Sequence, residues 1–159
     1  CPAGVEGSTW EERLKLCCND FDRSALAKQC PAGVEGATWS ARVGLCPRDD
    51  TKLQLALNCP AGVEGADWNV RIRHCRNARE KFWLALHCPA GVDGADWDVR
   101  TRLLRDESDG ELFAYGCPIG VTGATLGRRL QLCGSKQARD HVRKYCTQHD
   151  DETEPESIP

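Results

Sequence analysis

Apolar residues in this chain recur in two alternating patterns that return every 29 positions. In the first, Trp10, Leu14 and Cys17 fall at i, i+4 and i+7. Trp39, Val43 and Cys46 repeat the spacing, as do Trp68, Ile72 and Cys75, and it is the spacing of one face of an α-helix. In the second, the runs LQLALN (53–58), FWLALH (82–87) and ELFAYG (111–116) suggest a second short helix. Between the two lies a polar stretch that differs from unit to unit, at 18–23, 47–52, 76–81, 105–110 and 134–139, and it reads as a turn.

The period is punctuated by cysteine at 1, 30, 59, 88, 117 and 146, followed in five cases by Pro-x-Gly-x-x-Gly. Proline cannot continue a helix and glycine tolerates positive φ, so each opening word predicts a fixed turn that ends one helix before the next begins. Thr9, Thr38, Asp67, Asp96 and Thr125 come directly after the turn. Each carries a side-chain oxygen able to accept from the free N–H groups of a first helical turn, so a helix is expected to start there in every unit. The expected architecture is all-α, a short right-handed α-solenoid of five loop-helix-turn-helix repeats at 1–29, 30–58, 59–87, 88–116 and 117–146.

The segments GADWNVR (65–71) and GADWDVR (94–100), each with a Leu-containing second helix after it, resemble the leucine-rich-variant and HEAT-type helical repeats, whose units also carry a Val-Arg pair. The resemblance implies the stacked-helix architecture and nothing narrower. The opening Cys-Pro-x-Gly word is not part of it.

Unit five departs most, with Leu126 in the tryptophan column, Thr122 in the acid column, and Arg143 and Lys144 in its second helix. These changes suit a capping unit with a wetter outer face. The tail 147–159 holds five acids and no Lys or Arg, and is expected to be disordered. It accounts for the net charge of −3, because the body carries 21 basic against 19 acidic residues. A nearly neutral body argues against a uniform polyanion as partner, and no apolar run is long enough to span a bilayer. With no methionine, the chain reads as starting after processing or as cut from a longer one.

Eleven cysteines in 159 residues point to an extracytoplasmic or secreted location and to disulfides. The favoured pairs are Cys1–Cys17, Cys30–Cys46, Cys59–Cys75 and Cys117–Cys133, each closing a loop of about 15 residues, worth ~3 kcal/mol in the chain-entropy model. The other register, Cys17–Cys30 and Cys46–Cys59, would have to cross about 13 Å of helix rise. Buried reduced thiols are the alternative, because unit four has Leu104 in place of a cysteine. Metal spacing is absent, and no cofactor is expected.

Arginine stands at the thirteenth place of every unit. Arg13, Arg42, Arg71 and Arg100 are expected to pair with the loop acids Glu6, Glu35, Glu64 and Asp93 in a structural ladder, although a phosphate- or carboxylate-gripping role also fits the residue. The tryptophans at 10, 39, 68 and 97 are expected in the core. Binding is expected where units differ, at Arg71, Arg73, Arg76, Arg79 and Lys81 in unit three and Asp106, Glu107 and Asp109 in unit four. Such alternating patches favour a protein partner. No P-loop, zinc-protease or nucleophile-elbow word occurs, so a non-enzymatic scaffold is expected. Nucleic-acid reading by the arginine column and end-to-end structural assembly are the rival functions.

Overall fold

A computed structural model describes residues 8–150, and side chains through Cys146. Ten helices and no strand are present among the described residues. The first helices of the five units are α1 (Trp10–Lys15), α3 (Trp39–Gly44), α5 (Trp68–Ile72), α7 (Trp97–Thr101) and α9 (Leu126–Gln131). The second helices are α2 (Asp20–Gln29), α4 (Asp49–Asn58), α6 (Ala78–His87), α8 (Glu107–Gly116) and α10 (Lys136–Asp150). The second helices pack in succession, α2 on α4, α4 on α6, α6 on α8 and α8 on α10, and the first helices lie against them, which makes a helical repeat solenoid.

Each first helix begins where its cap residue predicts. The side chains of Thr9, Thr38, Asp67, Asp96 and Thr125 accept from the backbone N–H three residues on. In the loops before α3, α5, α7 and α9 both glycines take positive φ, for example 78° at Gly91 and 71° at Gly94. An L-residue resists that conformation, and at Gly94 an added Cβ would also lie 3.6 Å from the Trp68 Cβ of the preceding unit. The 3.6 Å is an ordinary contact distance, so it is the positive φ of the turn that calls for glycine.

The second helices are longer than the apolar runs suggest, ten residues in α2, α4, α6 and α8. Their first turns occupy most of the polar stretches, so the real turns are only a few residues long. The first turn of each is rich in charged residues, so apolar periodicity begins one turn late. Asn19, Asn77 and Asp106 cap these helices through their side chains. In unit five, Thr147 stands where the other units have proline, and α10 runs on to Asp150 through the place of the turn. The helix thus takes the first four residues of the expected tail, and 151–159 lie outside the described residues.

The tryptophan column is core, with Trp10, Trp39, Trp68 and Trp97 all buried, together with Leu55, Leu84, Phe113 and the opening cysteines.

Candidate interaction surface

The repeated arginine does not meet the loop acids. Arg71 is fully buried, and its Nε donates to Ala66 O at 2.8 Å, its Nη1 to Ala56 O at 3.0 Å and Cys59 O at 2.8 Å, and its Nη2 to Pro60 O at 2.9 Å. Arg42, Arg100 and Arg129 repeat this set one unit apart, down to the residue positions of the acceptors. The acceptors are the last carbonyls of the preceding unit's second helix and the loop that comes after it. These groups lack helical partners and carry the negative end of the helix dipole, so a buried cation is balanced without a carboxylate. Each guanidinium also lies over the tryptophan ring one unit back, at 5.5 to 5.7 Å.

The expected Arg–acid ladder is therefore corrected at Arg42, Arg71 and Arg100. Arg13 is buried and donates to Ser8, and its expected partner Glu6 lies outside the described residues. The side chains of Glu35, Glu64 and Asp93 are exposed. What the acid position contributes is its main chain, since Glu35 O, Glu64 O, Asp93 O and Thr122 O accept from the backbone N–H of Trp10, Trp39, Trp68 and Trp97. Thr122 can do this as well as an acid, which explains unit five. Each joint between units thus consists of a tryptophan, the arginine over it and one main-chain bond.

The expected disulfides are also corrected. The ten described cysteines, Cys17, Cys18, Cys30, Cys46, Cys59, Cys75, Cys88, Cys117, Cys133 and Cys146, form no disulfide with one another, and Cys1 lies outside the described residues. The two cysteine columns occupy separate environments. Cys59 and Cys88 neighbour the joint arginines and the opening cysteine of the unit before, whereas Cys46, Cys75 and Cys133 neighbour charged residues of the second helices. Burial pushes the Cys46, Cys59, Cys88, Cys117 and Cys133 thiols up, and burial with the nearby Glu80 takes Cys75 to about 11. All these sulfurs stay protonated near neutrality and act as small apolar fillers.

The residues expected to bind a partner divide three ways. Arg71 belongs to a joint and is withdrawn from the surface. Asp109 is buried and held by Arg105 through two side-chain bonds of 2.7 and 2.8 Å and by the Arg105 N–H at 3.1 Å, and Asp106 caps α8. Glu80 is held by Arg76 in the same way in unit three. These bonds hold the Asp109 and Glu80 carboxyls below their usual range. Arg73, Arg76, Arg79 and Glu107 are exposed and Lys81 is half-buried. Repeat stacking puts the turns in one row, in which Asp49 and Asp50 of unit two are matched by Lys52 and Arg48, whereas unit three presents Arg76 and Arg79 and unit four Asp106 and Glu107, of opposite sign.

One end of the turn row carries a feature that sequence reasoning missed. Leu16 and Phe21 are 76% and 81% exposed and are the exposed large hydrophobic side chains among the described residues. They flank the exposed thiol of Cys18 in the unit-one turn. In units two to five the position of Leu16 is partly covered by the unit before, and that of Phe21 carries Asp50, Arg79, Ser108 and Gln137. An apolar residue at a place that every other unit leaves polar was the available signal.

Among the described residues no cluster of His, Cys, Asp and Glu suited to a metal ion occurs, and no helix is long and apolar enough to cross a membrane. No protein-family model, curated protein or solved structure matches the chain.

Proposed function

We propose that the chain is a non-enzymatic repeat scaffold that binds a protein partner along the ridge of its inter-helix turns. The observation that carries this reading is Phe21, an exposed aromatic side chain at a turn position that is polar in every other unit. A large apolar side chain left in water in the turn row, together with turns of opposite charge in units three and four, supplies an anchor and a means of setting register. The arginines, caps and glycines repeated in every unit are consumed by the joints and turns, which leaves the variable positions for recognition.

The nucleic-acid alternative loses its arginine column, because four of those arginines are buried in the joints. End-to-end assembly is disfavoured by α10, which runs through the place where other units make the turn that stacks on their neighbour. An extracytoplasmic location loses the disulfides that supported it.

A photo-crosslinking residue placed at Phe21, at Arg79 and, as control, at Glu64 tests the reading in a lysate of the source cells. One protein should crosslink at Phe21 and Arg79 and not at Glu64. Binding of that purified protein should weaken about thirtyfold in Phe21→Ala, the ~2 kcal/mol of an interface anchor. A partner captured only at Glu64, or only nucleic acid captured, defeats the proposal.

A further inference from the structure

Trp83 has no role in the joints. It stands outside the tryptophan column, on the second helix, where the other units have Ala25, Gln54, Leu112 and His141. It is half-buried, and His87 one turn further along α6 lies parallel to the indole, with ring centroids 5.1 Å apart and planes 9° apart. The two rings form one wall of a groove of about 390 Å³ between α4 and α6, whose other lining residues are Leu53, Gln54, Leu57 and Asn58. That volume is at the small end of ordinary ligand sites, room for one or two six-membered rings.

The polar groups of the groove are all neutral. Asn58 Nδ2 donates to Gln54 O at 2.8 Å and lies 3.4 Å from Gln54 Oε1, which orients the amide and keeps Asn58 Oδ1 as an acceptor and Gln54 Nε2 as a donor. Burial pushes His87 below its usual value, so the imidazole is uncharged near pH 7 and offers one donor or one acceptor. No Lys, Arg, Asp or Glu lines the groove. The comparable groove of about 310 Å³ beside Tyr115 and His141 differs on this point, because Glu111 lines it.

We infer that the groove between α4 and α6 binds a neutral hexopyranose ring, free or as part of a glycan, with Trp83 as its platform and Asn58 and Gln54 as its hydroxyl readers. A pyranose offers a flat C–H face that packs on an indole and a rim of hydroxyls that both donate and accept, and the groove pairs an aromatic wall with amides of both senses. Anionic ligands find no cation there. A nucleotide would stack on the indole equally well, but its phosphate would go unmatched. This site lies on the second-helix face and is independent of the turn ridge.

Saturation-transfer NMR on the full chain, with methyl β-glucopyranoside, methyl β-galactopyranoside and adenosine as separate probes, tests the inference. At least one glycoside should receive saturation on its ring C–H protons and shift the indole N–H resonance of Trp83. Trp83→Ala should weaken that binding about tenfold or more. Asn58→Ala, at an exposed position that cannot unfold the core, should also weaken it. The inference is overturned if neither glycoside binds, if binding is unchanged in both variants, or if adenosine is the probe that shifts Trp83.

Discussion

Replacing Arg71 by alanine tests the account of the joints most directly. The change removes four hydrogen bonds of 2.8 to 3.0 Å from a side chain with no exposed surface, and with them the contact over Trp39. Charge-assisted bonds contribute about 1.5–3 kcal/mol each, so a simple sum reaches ~6–12 kcal/mol. Water entering the guanidinium-sized space will satisfy some of the abandoned carbonyls, and the realistic loss is about 4 kcal/mol, comparable to breaking a buried charged pair. In a chain of this length that corresponds to a fall of roughly 10 °C in the melting midpoint. Arg71→Lys keeps the charge but not the planar fork, and should lose about half as much. Glu64→Gln, at an exposed carboxylate, should stay within about 0.5 kcal/mol. Urea unfolding monitored by circular dichroism measures all three. If Arg71→Ala costs under ~1 kcal/mol, or Glu64→Gln costs as much as Arg71→Ala, the guanidinium is not held by main-chain carbonyls and the Arg–acid ladder returns.

Three further outcomes are expected. Iodoacetamide on the native, unreduced chain should modify Cys18 first, Cys17 more slowly, and Cys59, Cys88 and Cys117 only after unfolding, as read by peptide mass; uniform labelling would mean that the buried column is open. Gly94→Ala, at φ 71°, should cost about 1–2 kcal/mol of unfolding free energy, whereas Gly127→Ala, inside α9 with open space around it, should be neutral or gain up to ~1 kcal/mol. Because Arg76 and Arg105 depress the Glu80 and Asp109 carboxyls, the stability that these pairs add is present above the unfolded carboxylate value of about 4 and is lost as pH falls through the depressed values. Asp109→Asn should flatten part of that acid-side loss in a series of unfolding curves.

Much of the scaffold was legible because repetition turns one weak signal into five. Thr9, Thr38, Asp67, Asp96 and Thr125 each cap a helix, and the Trp10 column is buried, as spacing alone implied. The arginine was read correctly as structural but given the wrong partner, because a sequence displays side chains and hides main-chain carbonyls. Helix ends were missed for a related reason: the first turns of α4, α6 and α8 have the polar composition of loops, although Asn77 and Asp106 cap α6 and α8 at their starts. The cysteine columns shared a period without sharing a neighbourhood, so regular spacing suggested bonds that the packing does not bring together.

The surface obeys the opposite logic. A residue kept in every unit answers to the joint that every unit makes, as Arg42, Arg71, Arg100 and Arg129 do, and so says little about a partner that meets the array only once. Glu35, Glu64 and Asp93 qualify the rule, since the joint uses only their carbonyl oxygens and Thr122 serves equally well. Their carboxylates are kept without a contact that requires them. Recognition is better sought at residues that break the pattern and are not consumed by the fold. Phe21 breaks it in the turn row and is 81% exposed, and Trp83 breaks it in the second-helix row and walls a groove. Asp109 lies in the variable stretch, but it shares its place with Asp22 and Glu80, and Arg105 holds it as Arg76 holds Glu80, so lying in a variable stretch does not make a residue available. Position in the repeat and freedom from internal bonds have to be read together, and Phe21 and Trp83 are the residues that pass both conditions.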